Sequence, residues 1–432
     1  MIAFQNSEHI KKIRLLTLLL VFVSVVCNAQ FPFESQNKRY NDQVQTVLLH
    51  PVDEPLSQAL ILADATNALS LSFDVIGDIA YTYNYTMIHC NHRWEPSDLQ
   101  PNEYIEGYHE DQINDYRFSL NTLTPYIHYK LIFPTSYLKP KLSGNYLLVV
   151  YNGELSKENL LFTRRFQVVD PRITLKASVP QHNRDPENGR THQQVDVEAL
   201  IPAYLGNIPA NSFFLTIQQN GRTDNIVEGL QPSQTYTDHL VYEYLNETVF
   251  EGSNHWRNLD LKSFKYQSER IDRIITGDDY FTVKLWEDKR RNRQVYASDI
   301  DIHGKKLIQA RQDQETDIEG DYAWVEFSLP YSAPLTHGEI HILGAANDWN
   351  IDASSRMRYN YQMKRYEASL FLKQGYYNYL YGIKEAGGKA VLTEEIEGSH
   401  WDNQHEYLIS LYFRKPGTSY DQLIGTILIN SH

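Results

Sequence analysis

Hydrophobic and polar residues alternate along much of this chain, which is the pattern of a β-strand with one buried face. In Tyr81–Cys90, written YTYNYTMIHC, every second residue from Tyr81 to Met87 is large, so these side chains share one face of a strand. Similar runs are Ala68–Ile76, Tyr129–Phe133, Asn145–Tyr151 and Thr163–Val169. Because no helical period separates these runs, the sequence predicts an antiparallel N-terminal β-sandwich domain over residues 30–170.

A second set of runs follows the polar loop at residues 180–194. Val195–Ile201, Phe213–Val227 and Tyr280–Asp288 predict a middle β-sandwich domain over residues 171–318. Within the second run, Asn220-Gly221 predicts a hairpin turn. Residues 258–274 fit neither the strand nor the helix period, and their state stays open.

The acidic stretch Asp313–Asp321 is the best candidate for a second linker, and residues 319–432 after it predict a compact β-module. We find no internal repeat of 20–50 residues, so propellers and solenoids are disfavoured. The predicted fold is all-β: tandem antiparallel β-sandwich domains with a C-terminal immunoglobulin-like (E-set, glycan-binding-module-like) domain.

Residues 1–29 have the features of a secretory signal peptide. Three positive residues precede an apolar segment, Leu15–Val26, and Ala29 then provides a small residue at a cleavage site. We expect cleavage after Ala29, with lipidation at Cys27 as the alternative that the sequence leaves open. No later segment is long and apolar enough for a membrane-spanning helix, so we predict an exported protein without an integral span.

The chain is acidic, with a formal net charge of −14. Removing the predicted signal peptide, which carries three positive residues and one negative residue, makes it −16. Such a charge disfavours binding to nucleic acid or to anionic lipid through bulk electrostatics. The 31 tyrosines favour β-structure over helix.

The segment Met87–Trp94, written MIHCNHRW, carries the residue types of a metal or catalytic site. On a strand, Cys90 and His92 share a face, but structural zinc needs four ligands and no second cysteine follows the signal peptide. His400 and His405 do not complete the set. The favoured interpretation is therefore that Cys90 is a small buried hydrophobic residue. We predict no metal and no cofactor.

Motifs of the common enzyme classes are absent from the sequence. There is no Gly-x-Ser-x-Gly, no phosphate-binding glycine loop and no His-Glu-x-x-His. The sequence therefore favours a protein that is not an enzyme.

A long loop, His92–Tyr108, is rich in proline, acidic residues and aromatic residues. Loops of this length are often functional, and tyrosine and tryptophan are typical anchors of interfaces. We therefore predict Trp94, Tyr104 and Tyr108 as partner-binding residues. The alternative is that they cover one end of the sandwich.

The stretch Gly344–Asn350, written GAANDWN, resembles the glycogen- and starch-binding modules of the immunoglobulin-like class. That resemblance implies a candidate glycan site in which Trp349 stacks on a sugar ring while Asn347 and Lys384 bind hydroxyl groups. The alternative is that Trp349 closes one end of the sandwich core, since fold does not determine function.

Seven segments, in order along nearly the whole mature chain, carry a further resemblance: Tyr85–Tyr108, Phe118–Pro134, Leu142–Gly153, Arg190–Glu198, Trp256–Ile271, Leu372–Gly382 and Glu395–Phe413. Together they resemble the Plug proteins of the type IX secretion system, an exported family of the Bacteroidetes.

This resemblance implies a periplasmic, non-enzymatic subunit, peripherally associated with the outer membrane. Its implied partner is the outer-membrane translocon barrel, of the SprA or Sov type, whose pore the protein would plug at the periplasmic end. An exported glycan-binding protein that uses the C-terminal module is the alternative.

Overall fold

The computed structural model describes residues 33–205 and 208–431. The predicted signal peptide, and with it the choice between cleavage and lipidation at Cys27, lies outside the described residues. Residues 35–155 and the described residues from 159 to 431 form one compact unit.

The regular secondary structure of the described residues is almost entirely β-strand, as predicted. The first twelve strands are β1 (Lys38–Arg39), β2 (Val44–Pro51), β3 (Leu60–Leu62), β4 (Leu69–Ile76), β5 (Tyr83–Cys90), β6 (Ile105–Gly107), β7 (Asp111–Ile113), β8 (Asp115–Phe118), β9 (Tyr126–Phe133), β10 (Leu138–Pro140), β11 (Gly144–Tyr151) and β12 (Leu160–Val169). They form the first sandwich: a sheet in the order β1-β12-β11-β5-β7, with β3 parallel to β12, packs on a sheet in the order β2-β4-β9-β8. Strands β6 and β10 form a small pair.

The next twelve strands cover the middle of the chain. They are β13 (Thr174–Ser178), β14 (His192–Gln194), β15 (Asp196–Leu200), β16 (Phe213–Gln219), β17 (Val227–Leu230), β18 (Gln234–Thr235), β19 (His239–Tyr242), β20 (Val249–Glu251), β21 (Arg257–Asp260), β22 (Ile271–Thr276), β23 (Phe281–Leu285) and β24 (Lys306–Ile308). The last eight are β25 (Tyr322–Pro330), β26 (Gly338–Leu343), β27 (Arg358–Asn360), β28 (Arg365–Lys373), β29 (Gly375–Glu385), β30 (Val391–Leu392), β31 (Glu406–Phe413) and β32 (Gln422–Asn430).

Helices are short in the described part of the chain. One-turn α-helices lie at Pro101–Tyr104, Thr316–Glu319 and Glu394–Glu397, and 3₁₀ turns lie at Ala210–Ser212 and Ala345–Asn347.

The first sandwich follows the sequence pattern closely. Tyr83, Tyr85 and Met87 face its core, as the alternation along β5 predicts. All eight residues of β11 are buried, because this central strand is covered on both faces. Rings of the core pack edge to face, as with Phe133 and Phe166 at 5.3 Å between centroids. This core is shared by both sheets of the first sandwich.

The second sandwich joins the middle of the chain to its C-terminus. Its sheets have the orders β13-β15-β19-β18 and β17-β16-β31-β32, and β16 pairs with β31 along its whole length. The inner side chains of both sheets form one core. Strands β31 and β32, although last in the chain, therefore complete the middle sandwich.

The third sandwich is formed by sheets in the orders β22-β23-β25-β28-β27 and β21-β29-β24, with β26 and β30 also paired to β29. The run Tyr280–Asp288 contains β23, which lies parallel to β25 in this sandwich. Its assignment to the middle sandwich is therefore wrong, because alternation marks a strand without naming its partner. The open region 258–274 contains parts of β21 and β22 with a loop between them.

The strand pairing crosses the limit predicted after residue 318. Residues 257–285 pair within the third sandwich, whereas residues 406–430 pair within the second. That limit does not separate the sheets, and the division into three independently folding domains stays a prediction.

Candidate partner-binding surface

The end of β5 and the residues after it are packed inside the protein. Cys90 is fully buried, and burial raises the pKa of its thiol to about 12. His89 is also buried, with Nδ1 3.0 Å from Ser97 Oγ and its ring on the edge of Tyr146. Gly144 leaves room for this ring, since a Cβ there would lie 2.5 Å from His89 Nε2. Among the described residues, no group of three or more His, Cys, Asp or Glu side chains could hold a metal ion.

His92 has a structural partner that the sequence does not reveal. Its backbone N–H and its Nδ1 donate to Asp421 Oδ2, at 2.9 and 2.8 Å, and Arg414 Nε donates to the other carboxylate oxygen at 2.7 Å. Burial alone would raise the pKa of Asp421, but the hydrogen bonds from His92 and Arg414 outweigh it and hold the pKa far below its usual value. Because Asp421 directly precedes β32, this contact ties the first sandwich to the second.

Two of the three predicted partner-binding residues face the interior. Trp94, at a positive φ of 63°, is 8 % exposed, and the guanidinium of Arg165 lies 4.4 Å from its ring centroid. Tyr104 is buried in the first core. Tyr108, in contrast, is 68 % exposed and stacks on the exposed Tyr137 with 6.4 Å between centroids. In this structure, therefore, only Tyr108 of the three is available to a partner.

A larger exposed aromatic group lies at one edge of the first sandwich. Tyr81, Tyr116 and Phe118 are each about half exposed, and we call these three residues together with strand β8 the β8 surface. Tyr116 and Phe118 lie on the side of β8 that continues the inner face of its sheet, since they pair with the buried Tyr129 and Ile127 of β9. At this rim the inner face is not covered, so its aromatic side chains reach the surface.

The β8 surface is held by contacts with the core. The ring of Tyr116 lies 5.7 Å from Tyr129 and 6.0 Å from Phe118. The hydroxyl of Tyr129 accepts from the backbone N–H of Tyr81 at 3.0 Å and donates to its carbonyl at 2.9 Å. Such fixed aromatic side chains lose little entropy on binding, which is why tyrosine is frequent at interfaces.

Strand β8 is also a sheet edge. It pairs with β9 on one side, and within the described residues no strand pairs with its other side. Unpaired N–H and C=O groups at such an edge can pair with a strand of another protein. Arg117 lies between the two exposed rings in the sequence, so its side chain is on the opposite face of β8. There it forms an ion pair with Glu315 at 2.5 Å, which connects β8 to the segment before β25. Alternation in the sequence locates this strand, but not its position at an edge.

The predicted glycan-binding residues do not form a common surface. Trp349 is 7 % exposed and packs at a right angle on Trp256, with 5.5 Å between centroids. The amide of Asn347 donates to the carbonyls of Ile342 and Asn350 at 3.0 and 2.9 Å. A sugar that stacks on an aromatic residue at the protein surface needs an exposed ring, and Trp349 is buried.

Lys384 lies apart from that pair. It is half-buried on β29, four residues beyond Leu380, which packs in the Trp349 cluster. The sequence could not reveal that Trp349 is buried, because Trp256, which packs against it, is nearly a hundred residues away along the chain.

No helix of the described residues is long and apolar enough to cross a membrane.

Comparison with known proteins supports a family assignment. The model of the family described as "Type 9 secretion system plug protein 1st domain" matches residues 44–170, which cover most of the first sandwich. A crystal structure of a hypothetical protein from Parabacteroides merdae ATCC 43184 superimposes with a TM-score of 0.85 at 31 % identity, covering 91 % of this chain and 99 % of that chain.

Other comparisons add nothing to this. The structures named BspA_C_mut and BspA_C_WT reach TM-scores of only 0.13 and 0.12, at 7 % and 8 % identity, and say nothing about this fold. A search of curated proteins found no match. The resemblance found in the sequence is confirmed by the family match: the chain belongs to the type 9 secretion system plug protein family, a family of secretion-machinery components.

Proposed function

We propose that this protein closes the periplasmic end of the pore of the outer-membrane translocon barrel, of the SprA or Sov type, in type IX secretion. In this role it is a periplasmic, non-enzymatic subunit that associates peripherally with the outer membrane. The main support for this proposal is the match of residues 44–170 to the plug protein family. The β8 surface lies within this matched domain.

We propose that the β8 surface contacts the barrel. It combines exposed aromatic side chains, anchored on core tyrosines, with an unpaired strand edge. Both are features by which one β-protein binds another. Tyr108 and Tyr137, also in the first sandwich, are a second exposed aromatic pair, which we propose as a further point of contact.

A plug also has to keep its shape. The first and third sandwiches are joined by buried hydrogen bonds, such as those from the backbone N–H groups of Leu123 and Thr124 to the carboxylate of Asp321, at 2.5 and 3.1 Å. The first and second are joined through His92 and Asp421. These contacts favour a body that stays in one piece when it occludes an opening.

Site-specific photo-crosslinking tests the proposed contact. A photoreactive phenylalanine analogue at position 116 or 108 should form an adduct with the barrel in outer-membrane preparations. The matched control is position 361, because Tyr361 is 75 % exposed but lies in the turn between β27 and β28 of the third sandwich. Adducts from position 361 but none from positions 116 and 108 would contradict the β8 surface as the contact.

A double variant at the β8 surface, compared with a control at another exposed site, tests whether this surface is needed for binding to the barrel. Tyr116→Ser with Phe118→Ser should lower copurification with the barrel and make cells leaky to an antibiotic that the outer membrane normally excludes. Tyr361→Ser with Met363→Ser, at an exposed turn, is the control and should behave as wild type. If a deletion strain that contains the barrel keeps an intact permeability barrier, pore closure is not the function of this protein.

A further inference from the structure

A cavity of about 220 Å³ lies where the three sandwiches meet. The first sandwich contributes residues of β2, the loop after it, Trp94 and β12. The second contributes residues of β16, the turn after it and β31, and the third contributes residues 305–306 and 345–349. The cavity is therefore a property of the assembled chain and not of one sandwich.

Among the charged residues that line this cavity, positive side chains outnumber negative ones. Arg164, Arg165, Lys305 and Lys306 line it, whereas Asp348 is the one carboxylate among its lining residues. Asp348 is shared, lying 2.7 Å from Arg164 and 2.9 Å from Lys306. Arg164 is buried and the other three cations are half-buried, so their charges are partly removed from water, which costs free energy unless a counter-charge is present.

Arg165 is the cation without a counter-charge. Within the described residues no carboxylate lies within ion-pair distance of its guanidinium, whereas Lys305 has Glu406 at 2.5 Å. The carboxylate of Glu228 is beyond ion-pair distance, and its negative charge opposes the lowering of the pKa of Arg165. Arg165 is half-buried, and this burial lowers the pKa of its guanidinium to about 10.

Two contacts orient the guanidinium of Arg165 and leave its two terminal nitrogens open to a ligand. Its Nε donates to the carbonyl of Ser35 at 2.7 Å and its guanidinium lies over Trp94. Among the described residues, the hydrogen bond of the Arg165 side chain is the one from Nε, so its two terminal nitrogens keep the fork that fits oxyanions. Thr216 also lines the cavity, is 7 % exposed, and its Oγ1 has no partner in the described part of the chain.

We propose that this cavity binds a small oxyanion, a carboxylate or a phosphate group, with Arg165 as the ion-pair partner and Thr216 as a hydrogen-bond donor. The rings of Trp94 and Trp349, which also line the cavity, would pack against an organic part of such a ligand. Because all three sandwiches form the wall, the bound anion would stabilise their arrangement by mass action. The proposal does not depend on pore closure.

Binding is tested on the full-length mature protein with phosphate and acetate as probes, at constant ionic strength maintained with chloride. Saturable quenching or enhancement of tryptophan fluorescence, together with a rise in Tm, is expected with at least one of the two anions. Phosphate alone, acetate alone, or both distinguish the source of the oxyanion. No response of the folded wild type to either anion would overturn the proposal.

Variants assign the response to the site. Arg165→Gln should weaken binding at least tenfold, while Arg273→Gln, at an exposed arginine paired only with its neighbour Asp272, should leave it unchanged. Thr216→Val keeps the side-chain shape and removes only the unpartnered hydroxyl, so it should weaken binding even if Arg165→Gln does not fold. Equal affinity in Thr216→Val and the wild type, together with equal affinity in any folded Arg165→Gln protein, would overturn the proposed site.

Discussion

A buried ion pair joins the first sandwich to the third, and its loss should destabilise the whole chain. Asp74 of β4 lies 2.7 Å from Lys373 Nζ at the end of β28, and both side chains are 1 % exposed. Asp74 also accepts hydrogen bonds from His128 Nδ1 at 2.7 Å and from Tyr322 Oη at 2.6 Å. Burial would raise the pKa of Asp74, but Lys373 and His128 outweigh it and hold the pKa below the usual value.

Asp74→Asn leaves Lys373 as a buried cation without its carboxylate. Removing one partner of a buried pair costs about 3–5 kcal/mol. Lys373 keeps two other contacts, the carbonyl of Asp317 at 3.0 Å and the ring of Tyr126 at 4.1 Å, so we expect the lower end, about 3 kcal/mol. Lys373→Met should cost less, about 2 kcal/mol, because Asp74 keeps the donors His128 and Tyr322.

Urea unfolding followed by tryptophan fluorescence measures these free energies. The double variant, Asp74→Asn with Lys373→Met, should lose less than the sum of the two single variants, because the pair is removed as a unit. Since the folded-state pKa of Asp74 is lowered, its contribution is present above the unfolded-state value near 3.9 and is lost as the pH falls below it. The gap between wild type and Asp74→Asn should therefore narrow below about pH 4. A gap under 1 kcal/mol at pH 7 would refute this account of the junction.

Three further outcomes are expected. Cys90 should resist a thiol reagent at pH 8 in the folded protein and react in urea, because it is buried with a pKa raised to about 12; fast reaction of the native protein would contradict this. Trp349→Ala should lower the free energy of unfolding by about 3–5 kcal/mol, because this buried ring packs in a core cluster, and the wild type should show no retardation on α-glucan gels; retardation of the wild type would restore a glycan site. Asp421→Asn should cost about 2–3 kcal/mol by chemical denaturation, since His92 and Arg414 lose a charged acceptor; a neutral effect would mean that this contact is dispensable.

Alternation of hydrophobic and polar residues predicted most strands, because a strand in a sandwich has one face toward the core and one toward solvent. The alternation in Tyr81–Cys90 predicted which side chains of β5 enter the core. The turn at Asn220-Gly221 was also predicted correctly, since both residues have the required positive φ, 52° and 73°, and the N–H of Arg222 donates to the carbonyl of Gln219 at 2.9 Å. The partner strand β17, however, begins only at Val227, so the connection is longer than a two-residue hairpin.

Long-range pairing could not be predicted in the same way. β16 pairs with β31, almost two hundred residues later, and alternation is the same for any partner. Trp94 packs against Arg165, and Trp349 packs against Trp256. Both tryptophans were predicted as surface residues because of their residue type, and both are buried by partners that are distant in the sequence. The exposed rings at positions 116 and 118 were missed because only the sheet order shows that β8 is an edge.

Ion conductance of the purified translocon barrel in a planar lipid bilayer tests pore closure most directly. Addition of this protein to the periplasmic side should reduce the conductance in a saturable way, and Tyr116→Ser with Phe118→Ser should require a higher concentration for the same effect. The control variant, Tyr361→Ser with Met363→Ser, should match the wild type. An open barrel whose conductance does not change with saturating wild-type protein would contradict pore closure.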